Sequence, residues 1–313
     1  MMNFRILVSD GLEEAGLKIL RQVADVTVDP KISPEDLLKV LPEYDALIVR
    51  SRTKVTKDVL SAGERLKVVG RAGVGVDNID LKAAKAAGIT VVNSPLAATN
   101  AVAELALGFM LSMARRIPDM NASMKAEKWE KSSFKGFELE GKTLGLLGLG
   151  RIGARVAELA SAFDMKVLAY DPFVSSEEIR MRHAEPGSFD ELLEQSDYIS
   201  LHLPLTEITR GLIGENQIQM MKTGVCLICT ARGGVLDEDA LRVALDSGKV
   251  AAAALDVFAS EPPAAGSIAT HPKVIASPHI GAQTKEAQTK AGIGIAEEII
   301  AVLKGEEPHF KVV

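Results

Sequence analysis

Short β-rich apolar runs alternate along the chain with stretches whose apolar residues recur every three or four positions. In the first hundred residues, Phe4–Val8, Ala46–Val49, Lys67–Val69 and Ile89–Val92 read as strands, and Glu13–Val23 and Leu81–Ala87 as helices. A second series starts at Lys142. There Thr143–Leu147, Lys166–Tyr170, Tyr198–Leu203, Val225–Cys229, Ala251–Val257 and Val274–Ala276 read as strands, and Ile152–Phe163, Glu238–Ser247 and Lys285–Lys304 as helices. Strands separated by helical segments predict βαβ units and parallel sheets. Two such series predict an α/β chain of two doubly wound parallel-sheet domains.

Between the two series lies Thr99–Arg115. Val102, Leu105, Ala106, Phe109 and Met113 form one apolar helical face. Nearly every other position there is also small or apolar, which marks a helix buried in a core or against another chain. The pattern alone leaves both readings open.

The 313 residues suit two domains. An apolar share of 47% against 25% charged can bury a core without staples, which excludes disordered and cysteine-stapled classes. The net charge of −6 argues against a nucleic-acid partner. Cys226 and Cys229 are the only two cysteines. That excludes a disulfide framework and fits a reducing compartment. Their C-x-x-C spacing lies in a predicted strand, so the thiols face opposite ways and suit neither a redox pair nor a metal. No other cluster has metal-ligand spacing. The apolar run within Met1–Asp10 is too short for a signal peptide, and Ala101–Met113 contains Glu104 and falls short of the ~20 residues of a membrane span. The expectation is a cytoplasmic protein without membrane contact.

Gly148-Leu149-Gly150-Arg151-Ile152-Gly153 matches G-x-G-x-x-G, directly after a predicted strand and at the start of a predicted helix. In that setting Gly148 allows a tight turn, Gly150 lets backbone approach a pyrophosphate, and Gly153 lets helix and strand pack. The next predicted strand ends at Asp171, placed to hold ribose hydroxyls and repel a 2′-phosphate. No Arg or Lys follows in residues 172–176. The expected cofactor is NAD.

Hydride chemistry at a carbonyl needs an acid/base, and a carboxylate substrate needs an Arg fork. Of the five histidines, only His202, which ends a predicted strand just before Pro204, and His279, which follows one, lie at strand ends, where open α/β sheets bind ligands. Position does not choose between them. Arg232 lies past another strand end, before Gly233-Gly234, as a carboxylate ligand or a surface charge. Glu261 follows a strand as well and has the chemistry to orient an imidazole.

The chain resembles the D-isomer-specific 2-hydroxyacid dehydrogenases over nearly its whole length. The likeness is carried by Gly145–Gly153, Ala231-Arg232-Gly233-Gly234, Leu255-Asp256-Val257-Phe258 with Glu261-Pro262, and Ser277-Pro278-His279-Ile280-Gly281-Ala282. It implies a catalytic trio of Arg232, Glu261 and His279. It also places Arg151, Ile152, Pro172, Leu203, Pro204, Thr230, Ala231, Asp256 and Gly281 with the glycines and Asp171 around NAD.

The resemblance further implies a flavodoxin-like substrate domain, residues 1–98 plus 283–313, and an inserted Rossmann NAD domain, 99–282, with the active site in the cleft between them. Residues 49–56, 70–78, 123–130 and 284–288 are most similar to members that oxidise 3-phosphoglycerate. By that likeness Arg50, Ser51, Arg71, Val74, Gly75, Arg232 and His279 bind substrate. Arg50 and Arg71 follow strands and take the phosphate, whereas Arg52 and Lys54 read equally as a solvated face. Lys131 is a candidate contribution from a partner subunit. The ending at Val313 resembles members without C-terminal regulatory domains, and the family implies a homodimer. Glyoxylate, hydroxypyruvate and D-lactate enzymes share the motifs, and an NAD-binding corepressor is the reading outside catalysis.

Overall fold

The computed structural model describes residues 4–313. The first three residues of the predicted N-terminal run lie outside the described residues. Two compact units form, one from the chain up to Thr99 with Ala282–Val313, the other from Asn100–Gly281.

The first unit is built on β1 (Phe4–Val8), β2 (Ala24–Val28), β3 (Ala46–Val49), β4 (Val68–Arg71) and β5 (Thr90–Asn93). Their spatial order is β2-β1-β3-β4-β5, every pair parallel. The long helix Lys285–Lys304 lies on this sheet. Its Ile295, Ile299 and Leu303 share a core with Ile6, Ile48 and Val68. The end of the chain then returns along β5, with Val312 N–H donating to Val91 O and Val91 N–H to Val313 O.

The second unit holds β6 (Thr143–Leu147), β7 (Lys166–Tyr170), β8 (Glu185–Pro186), β9 (Tyr198–Leu201), β10 (Val225–Cys229), β11 (Val250–Leu255) and β12 (Val274–Ala276). Their order is β12-β11-β10-β9-β6-β7-β8, again parallel throughout. The order reverses between β6 and β9, the switch point at which such sheets bind ligands. Cores cover both faces, which is why these strands read as continuous apolar runs rather than alternating ones. Cys226 packs into one core and Cys229 into the other, as their spacing predicts. Burial pushes both thiols up to about 11. Helix Thr99–Arg115 buries Ala103, Ala106, Phe109, Met110 and Met113 against Leu144 and Leu146, so the core reading accounts for that face.

Several elements differ from the sequence pattern. β2 was not predicted, because as an edge strand it keeps Asp25 and Thr27 among its apolar residues. β4 runs to Arg71 rather than stopping at Val69, since Gly70 and Arg71 pair with Val92 and Asn93. β9 stops at Leu201, before the residues that Pro204 restricts, and β11 stops at Leu255, where Asp256 turns to hold a neighbouring loop.

Candidate active site

Each predicted site residue of the second unit follows or ends near the carboxyl end of a parallel strand. The glycine loop follows β6 and Asp171 follows β7. Leu203-Pro204 follow β9, Thr230–Arg232 follow β10, Asp256 follows β11, and His279–Gly281 follow β12. In the first unit Arg50 and Ser51 follow β3, Arg71 ends β4, and Val74 and Gly75 lie in the next turn.

The glycine loop has the shape a dinucleotide needs. Gly148 has φ +92°, and a Cβ on it would lie 2.6 Å from His202 O. A Cβ on Gly153 would lie 2.2 Å from Gly148 O, whereas one on Gly150 would meet nothing within 4 Å. The tight contacts are thus internal, and the open side is at Gly150, which leaves space for backbone to approach a pyrophosphate. Gly150 also begins helix Arg151–Ser161 without a side-chain cap, leaving backbone donors for an anion. The Asp171 carboxylate accepts from Leu149 N–H at 2.9 Å and from Phe173 N–H at 3.0 Å. It therefore ties the loop after β7 to the glycine loop. Arg182 adds a bond from Nη1 to Leu149 O at 2.6 Å, a contact the sequence does not reveal. The buried Thr230 hydroxyl has no hydrogen-bond partner among the described residues. These features fit NAD.

His279 and Glu261 meet: His279 Nδ1 lies 2.7 Å from Glu261 Oε2. Glu261 Oε1 accepts from Phe258 N–H at 3.2 Å, which orients the carboxylate. Glu238, unpredicted, accepts from Ala259 N–H at 2.6 Å and steadies the same loop. His279 has φ +52°, an uncommon conformation for a residue with a Cβ. It is held there by Asp256, which is buried. Asp256 Oδ1 accepts from Ser277 Oγ at 2.5 Å and Ile280 N–H at 2.8 Å, and Oδ2 accepts from Gly281 N–H at 2.8 Å. Asp256 was predicted beside NAD; its carboxylate holds the loop that carries His279.

Arg232 joins this group through backbone packing. A Cβ on Gly233 would fall 1.8 Å from Phe258 O, so only glycine lets the Arg232 loop lie against the Glu261 loop. The other histidine at a strand end, His202, has Nε2 2.9 Å from Ser200 Oγ. Burial pushes its pKa down to about 4, so the ring is neutral at physiological pH.

In the first unit the basic residues separate. Arg52 donates to Ile32 O at 3.0 Å and to Ser9 O, and lies 3.2 Å from the buried carboxylate of Asp10. It is a clamp between loops. Asp10 also accepts from Arg50 N–H at 2.7 Å and Thr53 N–H at 3.0 Å. The Arg50 guanidinium reaches only Gln288 Oε1, at 3.4 Å, and faces no carboxylate among the described residues. Arg71 lies across the Cα of Gly73. Gln288 lies in the 284–288 stretch noted above, but its pairing with Arg50 is not legible in the sequence, because helix Lys285–Lys304 reaches β3 only through the fold.

A glycine loop at the switch point of a parallel sheet, with a carboxylate three strands away paired to an imidazole four strands away, has the parts that nicotinamide-dependent hydride transfer requires. Residues 107–281 match the NAD-binding domain of the D-isomer-specific 2-hydroxyacid dehydrogenases, and the chain belongs to that family. It is 50% identical over 303 residues to D-3-phosphoglycerate dehydrogenase of Methanocaldococcus jannaschii, covering 96% of this chain and 58% of that one. It is 46% identical over 307 residues to hydroxypyruvate reductase of Thermotoga maritima, covering 97% and 99%. A D-lactate dehydrogenase from Aquifex aeolicus, solved with NAD and lactic acid, superposes with a TM-score of 0.85 at 32% identity, over 96% of each chain. The chain spans about half the length of several curated relatives it matches. NAD is the cofactor. Among the described residues no helix is long and apolar enough to cross a membrane.

Proposed function

We propose that the protein oxidises 3-phospho-D-glycerate to 3-phosphohydroxypyruvate with NAD, the first step of phosphorylated L-serine biosynthesis. NAD supplies the acceptor for the C2 hydride. His279 Nε2 takes the proton of the C2 hydroxyl, because Nδ1 already faces Glu261. Glu261 stabilises the imidazolium that results. Arg232 orients the carboxylate and C2 oxygen, and the Val74 and Gly75 N–H groups also take the carboxylate.

The observation that carries the phosphorylated substrate is the state of Arg50. Arg52 is already placed on Asp10 and two carbonyls, while Arg50 has a neutral amide as its side-chain partner. An arginine whose charge is not matched by a carboxylate suits a phosphate. Arg71 is its companion at the next strand end.

A second reading, reduction of hydroxypyruvate, is favoured by the likeness to the Thermotoga maritima reductase. NADH oxidation by the purified protein, with 3-phosphohydroxypyruvate beside hydroxypyruvate, glyoxylate and pyruvate, separates the two. The first reading expects kcat/KM at least ~100-fold higher for the phosphorylated compound, or ~2.7 kcal/mol. Comparable rates on all four favour a general reductase.

The proposal includes a homodimer in a reducing cytoplasm. Ile117, Met124, Trp129 and Phe137 are exposed in one segment, Trp129 at 79%. Beside them a cavity of about 940 Å³, lined by Met113, Phe137, Tyr198, Cys226, Val274 and Ile275 among others, opens in the second unit. A second copy of that segment is the occupant this surface fits. Sedimentation at micromolar concentration tests it, and a monomer there removes it.

A further inference from the structure

The turn after β4 leaves two backbone donors open. Neither Val74 N–H nor Gly75 N–H donates to another described residue. The turn is anchored from β5. Ser94 N–H donates to Gly73 O at 3.0 Å, and Asn93 Nδ2 donates to Val74 O at 2.5 Å. Asn93 is itself fixed. It pairs with Arg71 at the end of the ladder, and its N–H donates to Phe310 O at 3.2 Å.

In a trans peptide the carbonyl of one residue and the N–H of the next point in opposite directions. A group that holds Val74 O therefore aims Gly75 N–H. Gly75 has no Cβ to resist inversion of this peptide. Inverted, the unit would present the Val74 oxygen where the N–H now points, and an anion there would be repelled. We infer that Asn93 is a positioning residue for the reaction: its amide locks the Val74–Gly75 peptide so that Gly75 N–H faces the substrate carboxylate. This rests on the reading above that these N–H groups take the carboxylate.

Asn93→Asp tests it with almost no change of shape. The carboxylate repels Val74 O and offers Gly75 N–H an acceptor, which favours the inverted peptide. With the better of 3-phosphohydroxypyruvate and hydroxypyruvate as substrate, KM rises about 30-fold in Asn93→Asp and about fivefold in Asn93→Ala. NADH affinity and Tm stay near wild type. A folded Asn93→Asp enzyme with KM within twofold of wild type overturns the inference, as does a fall in Tm with no change in KM. Should Asn93→Asp not fold, Asn93→Ala decides by the same split.

A direct probe separates this inference from its premise. The sequence contains two Val-Gly pairs, Val69-Gly70 and Val74-Gly75. Labelling Val carbonyls with 13C and Gly amides with 15N leaves those two amide signals in a carbonyl-filtered spectrum. Oxamate added to the NADH complex should move Gly75 in the wild type and not in Asn93→Asp, with Gly70 as reference. A Gly75 signal that moves in both enzymes overturns the role of Asn93 and keeps the carboxylate reading. A Gly75 signal that stays still in the wild type overturns the carboxylate reading, and this inference with it.

Discussion

Glu261 Oε2 lies 2.7 Å from His279 Nδ1, and the other oxygen of the same carboxylate is held by Phe258 N–H. One carboxylate thus fixes the imidazole while its own loop fixes the carboxylate. Glu261→Gln keeps the shape and removes the charge that stabilises the imidazolium. Steady-state kinetics should show kcat about 10- to 100-fold lower. Fluorescence titration should find NADH affinity within twofold of wild type. An unchanged kcat would remove Glu261 from the proposed mechanism.

The contact between Gly233 and Phe258 is backbone against backbone. Gly233→Ala places a methyl group 1.8 Å from Phe258 O, and no side chain can move to relieve it. Arg232 and Glu261 must then separate. The expected result is a loss of kcat/KM exceeding 100-fold, with a lower Tm by calorimetry.

Arg50→Ala removes the guanidinium that faces Gln288. On the proposed function, KM for 3-phosphohydroxypyruvate rises at least ~10-fold and KM for hydroxypyruvate changes little. Equal losses on both substrates would end the assignment of Arg50 to the phosphate.

Asp171→Ala should weaken NAD by at least ~10-fold while leaving NADP binding unchanged or improved. Because Asp171 also holds Leu149 and Phe173 N–H groups, Tm should fall as well. Calorimetric titration of both dinucleotides reads the comparison, and an unaltered preference contradicts the ribose role.

His202 has a folded pKa of about 4, below its ordinary value of 6.5. The unfolded chain therefore binds more protons than the folded one between those values. Stability is complete above pH 6.5 and declines as pH falls toward 4, by about 2 kcal/mol with allowance for solvent at the half-buried ring. Urea unfolding of His202→Asn should lack that decline. Wild-type and variant curves that fall in parallel would place the acid sensitivity elsewhere.

Much of the fold was legible in the chain. Parallel strands buried on both faces leave long apolar runs, and β6, β7, β10 and β12 stand where those runs are. The glycine loop was legible for a related reason, since its three glycines answer local demands of a strand–turn–helix. β2 was not, because an edge strand needs only half its residues apolar. The clamp at Arg52 was not, because its partners Ser9, Asp10 and Ile32 lie twenty to forty-three positions away.

The sequence by itself determined the alternation of elements, the two sheets and the dinucleotide turn. Each follows from residues within one turn or one strand of each other. Tertiary structure alone decided which charges meet. It placed Arg52 on Asp10 and left Arg50 facing a glutamine from a helix more than 200 residues away. It turned the buried Asp256 carboxylate onto the loop of His279, and it set Asn93 against Val74. Electrostatics and hydrogen bonds act through space over a few ångströms, and only the folded chain defines those distances.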